Sequence, residues 1–250
     1  MLDIVTSSIP LIYDDAGLVA VNKPSGLAVV PAAGQHPDDC VRGRLERELG
    51  APLWVVHRLD RETSGVLLLA RTPEIHRALC VAFEERRVRK TYVAFTFGVP
   101  APREGLVSTP LHRARRGKVR PALPREEGAW EAATRYVVRK RWERDGTAVA
   151  MVEAHPETGR HHQIRAHLRS IGTPVLFDRL YGRGLAGDLA DRAPVSRLAL
   201  HASRLVVPDA TGTGLTRTFE APLAADLTAL LHWLDAEWTR VMAVATSSPG

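Results

Sequence analysis

Short apolar runs of period two alternate along the chain with stretches whose apolar residues recur every three or four positions. The first rhythm marks strands and the second marks helices. Residues 9–31, "IPLIYDDAGLVAVNKPSGLAVVP", place β-rich runs on either side of Asp14-Asp15-Ala16-Gly17, a hairpin turn between two strands. Asn22-Lys23-Pro24-Ser25-Gly26 then reads as a loop by its breakers. "DDCVRGRLEREL" (38–49) predicts a short amphipathic helix, capped by Asp38 or Asp39 and stopped by Gly50. "SGVLLLAR" (64–71) is nearly all apolar and of strand length, hence a buried strand. "TPEIHRALCVAFEER" (72–86) predicts a helix with Thr72 as N-cap and Pro73 in its first turn. Ile75, Leu79, Val81, Ala82 and Phe83 form its apolar face.

The second half continues in the same manner. "KTYVAFTFG" (90–98) alternates like a strand. Residues 100–128 are rich in Pro, Gly and Arg, and within them "HRARRGKVR" (112–120) is a basic loop or hairpin. Residues 130–156 predict two long strands joined at Asp145-Gly146. "HHQIRAHLRSIG" (161–172) predicts a helix ended by Gly172, residues 196–208 and 215–222 predict strands, and residues 224–238 predict a last amphipathic helix. The strands are joined by hairpins and scattered helices rather than by regular βα alternation. That favours an α+β fold around a long mixed or mostly antiparallel sheet with flanking helices.

Composition narrows the function. The chain has 250 residues, enough for one large domain or two lobes of one. Residues 11–240 are expected to form it, with residues 1–10 as an extension and 241–250 as a frayed tail. Lys plus Arg number 34 against 28 Asp plus Glu, a formal charge of +6 carried mostly by arginine, which suits a polyanionic partner. Cys40 and Cys80 are the only cysteines, too few for a disulfide framework or a Cys-x-x-Cys metal site, so a reducing cytoplasmic setting is expected. The first ten residues do not read as a signal peptide, and no apolar run is long enough to span a membrane.

Cofactor motifs are not found. There is no Gly-x-Gly-x-x-Gly after a strand and no Walker loop, and "GRGLAG" (182–187) reads as a loop. His161, His162 and His167 lack the spacing and the further ligand of a zinc site. Ser64 lacks the Gly-x-Ser-x-Gly elbow of a hydrolase. What stands out is "VVHRLDRETSG" (55–65), where Asp60 sits between Arg58 and Arg61 at the mouth of a buried strand. A charge there needs a partner or a task. Asp60 reads either as a turn cap or as a working carboxylate. "TGRHHQIRAH" (158–167) supplies Arg160 and Arg165 as forked, permanently charged donors. Tyr92 reads as a core tyrosine or as a ring that stacks on a base and still hydrogen-bonds.

"HRLDRETSG" (57–65), "KTYVAFTFG" (90–98) and "TGRHHQIRAHLRSIGTPVLFDRLYG" (158–182), in that order, resemble the three motifs of the RluA family of RNA pseudouridine synthases. "LVAVNKPSGLAVVP" (18–31), "EAATRYVV" (131–138) and "LALHASRL" (198–205) agree, so the likeness runs from about residue 10 to residue 222. The resemblance implies the pseudouridine synthase fold with a catalytic cleft. It implies an isomerase that converts a uridine of ribosomal or transfer RNA to its C-glycoside, with no cofactor and no metal. Asp60 matches the family's catalytic aspartate, Arg165 the arginine paired with it, and Tyr92 the aromatic residue against the target base, which could also assist loss of the C5 proton. Arg58 matches the residue that holds the flipped nucleotide. His57, Thr63, Arg160, His162, Gln163 and Lys90 are assigned with it to substrate or RNA binding. Arg113, Arg115 and Arg116 of the basic segment, together with Arg86, Arg87 and Arg89, are candidates for phosphate contact. A base inside folded RNA has to leave its stack before such chemistry, which suits a pocket with basic walls.

Two departures stand out. The third motif usually has Gly-Asp near its end, where this chain has Phe177-Asp178. The N-terminal S4 RNA-binding domain of many relatives is missing, so the likeness is to smaller members, expected to act as monomers without a membrane. The rival expectation is a non-catalytic RNA-binding or ribosome-assembly protein on the same fold. A glycosidase built on Asp60 ranks lower, because such enzymes usually need a second carboxylate.

Overall fold

The computed structural model describes residues 9–34, 36–182, 187–209 and 215–240. In chain order the elements are β1 (Leu11–Asp14), β2 (Leu18–Lys23), α1 (Val41–Leu49), β3 (Trp54–Val55), β4 (Ser64–Ala70), α2 (Pro73–Glu84) and β5 (Arg89–Phe97). Next come β6 (Glu104–Val107), β7 (Leu111–Arg113), β8 (Val119–Pro121), β9 (Thr134–Arg144), β10 (Thr147–Pro156), α3 (Gln163–Ser170) and α4 (Gly187–Arg192). The last are β11 (Leu200–Pro208), β12 (Thr216–Glu220), α5 (Ala225–Glu237) and β13 (Thr239–Arg240). The fold is α+β with mixed strand pairing. Contacts divide the chain into two units, within Met1–Tyr92, His155–Thr158 and Leu200–Ala224, and within Val93–Ala154, Gly159–Ala199 and Ala225–Gly250. Strands β5 and β10 contribute residues to both.

In the first unit the strand order is β1-β2-β4-β11-β5, with β12 on β11. β4 is antiparallel to β2, from Leu18↔Ala70 to Lys23↔Gly65, and parallel to β11 at Ser64 and Gly65. All seven residues of β4 are buried, because both its faces are covered. Val66, Leu68 and Ala70 pack with Leu79 and Ala82 of α2, while Leu67 and Leu69 pack with Val41 and Leu45 of α1. Period-two alternation thus lies hidden in an unbroken apolar run. The Asp14–Gly17 turn joins β1 to β2 as expected, fastened by the Asp15 carboxylate, which accepts from Gly17 N and Leu18 N at 2.7 and 2.8 Å. α2 has its Thr72 cap and Pro73 start, but Val81 faces solvent rather than the core. α1 starts later than its acidic signal suggests. Asp38 and Asp39 lie in a separate 3-10 turn, and the thiol of Cys40 accepts from Gly43 N instead. Gly50 closes this helix in the left-handed conformation.

In the second unit the order is β5-β10-β9-β13, with β6 also on β9. β9 and β10 meet at Asp145-Gly146, both at positive φ, the geometry a two-residue hairpin needs. The Pro-rich stretch 100–128 contains a strand the periodicity does not show, β6, since four residues are too few to establish a rhythm. Its basic part forms the β7–β8 hairpin, paired from Leu111↔Pro121 to Arg113↔Val119. α3 is shorter than expected. His161 and His162 precede it, and His162 adopts φ 52° as its N-terminal flank. α4 was not expected, because residues 182–187 read as a loop; residues 183–186, like 1–8 and the 241–250 tail, lie outside the described residues. Among the described residues no helix is long and apolar enough to cross a membrane.

Gly65 lies where β4 and β11 approach closely. It adopts φ +114°, and a Cβ built on it would lie 2.1 Å from the carbonyl oxygen of Ala202 on β11. A side chain there collides with backbone and leaves the allowed φ region at once. Gly65→Ala is expected to lower unfolding free energy by about 3 kcal/mol or more in urea denaturation; stability within 1 kcal/mol of wild type, about the smallest effect strand overpacking gives, would show the strands to be free to part.

Candidate active site

Asp60 lies on the connection from β3 to β4, after Leu59, which anchors it in the core beside α1. The backbone carbonyl of Asp60 accepts from Thr63 N at 3.1 Å, so the carboxylate sits on a tight turn. This turn is knitted to the Asn22–Gly26 loop. Gly26 N donates to Arg61 O at 2.9 Å, Arg61 Nε donates to Gly26 O at 2.8 Å, and Ser25 Oγ donates to Glu62 O at 2.7 Å. Beneath them Lys23 is fully buried, and its ammonium donates to the carbonyls of Pro24, Leu27 and Arg61 at 2.8, 2.7 and 3.0 Å. Arg61 and Glu62, which the sequence leaves without a role, therefore hold the turn through backbone and side chain. Sequence reasoning treated Lys23 as a loop residue. Its only signal is a lysine between a buried strand and a Pro-Ser-Gly turn.

Tyr92, on β5, packs against the same core cluster as Leu59. Burial first, and then the charge of Asp60, push its hydroxyl pKa above the ordinary tyrosine value. The phenol therefore stays neutral. Thr63 is buried, and its Oγ1 has no hydrogen-bond partner among the described residues. Arg58 is exposed. His57 is turned to structure: Nε2 accepts from Leu68 N at 3.0 Å, and the ring stacks on Phe83 at 4.8 Å. Burial, and then the charge of Lys90, hold its pKa down to about 3. Lys90 in turn donates to Thr158 O at 2.9 Å, with its own pKa lowered to about 8 by burial and by Arg86. Neither side chain is aimed at solvent phosphate in this arrangement.

In the second unit Arg165 is buried on α3 and forms a two-pronged pair with Asp178. Nε reaches Oδ2 at 2.7 Å and one Nη reaches Oδ1 at 2.9 Å. Oδ1 also accepts from Leu180 N and Tyr181 N, so Asp178 closes the turn while it fixes the guanidinium. Phe177, just before it, adopts φ 59°. The turn demands a left-handed residue, a conformation glycine takes freely, and here a phenylalanine bears the strain. Gln163 is buried and satisfied, accepting from Arg160 N and donating to Ala133 O and Thr134 Oγ1. Arg160 Nε donates to Glu131 O at 3.0 Å. His162 stacks on His161 at 3.6 Å and touches Tyr181 Oη at 3.2 Å. His167 is buried between Thr134 Oγ1 and Thr109 O, so it packs the helix. Arg113 and Arg115 are exposed on the β7–β8 hairpin, Arg113 lying 5.6 Å from the Trp130 ring centre, and Arg116 belongs to the 3-10 turn between its strands.

The geometry thus gives one unit a rigidly seated carboxylate beside a neutral tyrosine, and the other a fixed, buried arginine near a basic hairpin. The family model described as RNA pseudouridylate synthase matches residues 17–170, which include Asp60, Tyr92 and Arg165. The chain belongs to this family. It is 38% identical over 216 residues to the dual-specificity RNA pseudouridine synthase RluA of Escherichia coli K12, covering 85% of this chain and 92% of that one. It is 35% identical over 239 residues to the ribosomal large subunit pseudouridine synthase D of Neisseria meningitidis, covering 92% of this chain and 62% of the relative. The solved structure of human RNA pseudouridylate synthase domain containing 4 superposes with a TM-score of 0.73 at 28% identity, covering 93% of this chain and 94% of that one. The RluA-family resemblance is thereby established, and with it pseudouridine synthase activity, an isomerisation.

Two outcomes follow from the charges. Asp178→Asn removes a carboxylate from a buried guanidinium and is expected to lower stability by about 3–5 kcal/mol, as breaking one side of a buried pair does; chemical denaturation measures it. His57 has a folded-state pKa below its ordinary 6.5. The stability tied to its neutral ring is therefore whole above that value and is lost as the pH falls toward 3. In His57→Gln, whose amide oxygen can still accept from Leu68 N, the loss of stability on acidification through this range is expected to be smaller than in wild type. Parallel stability curves would show that the imidazole is not the titrating group.

Proposed function

We propose that the protein converts uridine within ribosomal or transfer RNA to pseudouridine, with Asp60 as the catalytic carboxylate. The observation that carries this assignment is the seating of Asp60. Its turn is tied by Lys23, Ser25, Gly26 and Arg61, and its charge acts on a tyrosine kept neutral. Such restraint is what a group held ready for one geometry requires. The reaction breaks the bond from the ribose to N1 of uracil, turns the base, and joins the ribose to C5. N1 gains a proton and C5 loses one, so the product is an isomer and nothing is consumed. Tyr92 packs against the base, and Arg58 holds the flipped nucleotide.

Arg165 is assigned the role of the family's conserved arginine, and Asp178 holds its guanidinium with both oxygens. The RNA class is supported by the RNA-modifying roles of the relatives and by the distribution of charge. Cations of β9 are largely neutralised by carboxylates, as in Arg139–Glu153, Lys140–Asp235 and Arg144–Glu237. In the β7–β8 hairpin Arg120 pairs with Glu126, whereas Arg113 and Arg115 form no ion pair among the described residues. Unneutralised arginines are the ones available to phosphate. A cytoplasmic, monomeric enzyme acting without cofactor or metal completes the proposal.

Asp60→Ala is expected to abolish pseudouridine formation while RNA affinity stays within about threefold, less than one good hydrogen bond is worth. Chemical mapping of pseudouridines in RNA from a strain lacking the gene is expected to show one or more missing sites. A full set of sites in that strain, with RNA binding intact, would support a non-catalytic RNA-binding protein on this fold instead.

A further inference from the structure

Tyr181 belongs to the third motif but has no part in the roles assigned above, and it occupies a junction within the second unit. Its hydroxyl accepts from Val119 N of the β7–β8 hairpin at 2.8 Å and meets His162 Nδ1 at 3.2 Å. Its ring lies 5.2 Å from the guanidinium carbon of Arg165, the range of a cation–π contact. Its own backbone N–H is held by Asp178 Oδ1 at 3.1 Å, the same oxygen that binds Arg165. The ring also packs against Leu111 and Val119 of the hairpin, Ala132, and Ala166 of α3. A second tie runs alongside, from His161 Nε2 to Gly117 O at 3.2 Å.

We infer that Tyr181 is a positioning residue that fastens the basic hairpin to the Arg165–Asp178 pair, so that phosphate contacts by Arg113 and Arg115 and the placement of Arg165 are set together. The physical reasoning is short. A two-stranded hairpin on its own is at best marginally stable in water. Its cations repel one another, and they define a binding surface only if something fixes the hairpin to the rest of the unit. Glu126 neutralises Arg120 near the hairpin's base. Toward the tip, Tyr181 Oη and His161 supply the fastening, with buried Val119 as the anchor. Because one ring touches both the hairpin and the arginine, its hydroxyl and its face have separable effects.

This inference rests on the RNA-modifying reading for its kinetic arm but not for its structural one. In Tyr181→Phe the ring stays and the hydroxyl goes. Amide hydrogen exchange at Val119 and its hairpin neighbours is expected to quicken about tenfold, the worth of one hydrogen bond, while the amides of α3 remain as protected as in wild type. With an RNA substrate of the wild-type enzyme, KM is expected to rise about tenfold with kcat within twofold, and the salt dependence of binding is expected to become shallower as phosphate contacts loosen. Tyr181→Leu, which also removes the aromatic face, is expected to lower kcat as well. In an Arg113→Gln/Arg115→Gln background, Tyr181→Phe is expected to add little, because its effect runs through those arginines. Unchanged hairpin exchange in Tyr181→Phe would overturn the inference, as would a KM effect that adds in full to that of the double variant. Absence of pseudouridine formation by the wild type would instead remove the proposed function and leave the exchange result standing.

Discussion

A buried lysine ammonium must spend its protons on oxygen atoms, and in this protein Lys23 spends them on backbone carbonyls of two loops. Lys23 ends β2, and by donating to Pro24, Leu27 and Arg61 it forces the loop after β2 and the turn bearing Asp60 to share one geometry. The penalty for stranding any of its protons is what makes the arrangement unique. Arg61, Ser25 and Gly26 reinforce it from the surface. The turn that carries the carboxylate is thus placed by bonds among its neighbours.

The second unit solves a related problem with opposite signs. Arg165 is as buried as a core leucine, yet it is an obligate cation, so Asp178 answers it with both oxygens. Asp178 can do this only because the turn before it is left-handed at Phe177, a conformation that glycine takes freely and phenylalanine takes at a cost. Tyr181 then closes the same turn and reaches the hairpin. A short run of residues, 177–181, thereby joins backbone strain, a buried ion pair and the placement of a basic arm.

Much of this was legible in the chain. The unbroken apolar run of β4, the Thr72-Pro73 start of α2 and the Asp145-Gly146 turn follow from steric and solvation rules that act over a few residues, and the structure keeps them. The motifs around Asp60, Tyr92 and Arg165 led to the family that the comparisons establish. Other features were misread for equally local reasons. Asp38 and Asp39 look like helix caps, but a 3-10 turn intervenes and Cys40 takes the capping place. His57 and Lys90, expected to meet substrate or RNA, also bond to Leu68 N and Thr158 O, contacts that the motif spacing does not state.

By itself the sequence determined the fold class, the family, the strands and helices with strong periodicity, and which residues carry charge in unusual company. These are matters of residue type and short spacing, where local physics acts alone. Only the tertiary structure decided what each charge does. It assigned Lys23 to carbonyls from residues 24, 27 and 61, Arg165 to Asp178, and Tyr181 to a hairpin some sixty residues earlier. A buried polar group must find a partner, but the chain does not state which one. That choice falls to whatever the packed strands and helices bring within hydrogen-bonding distance.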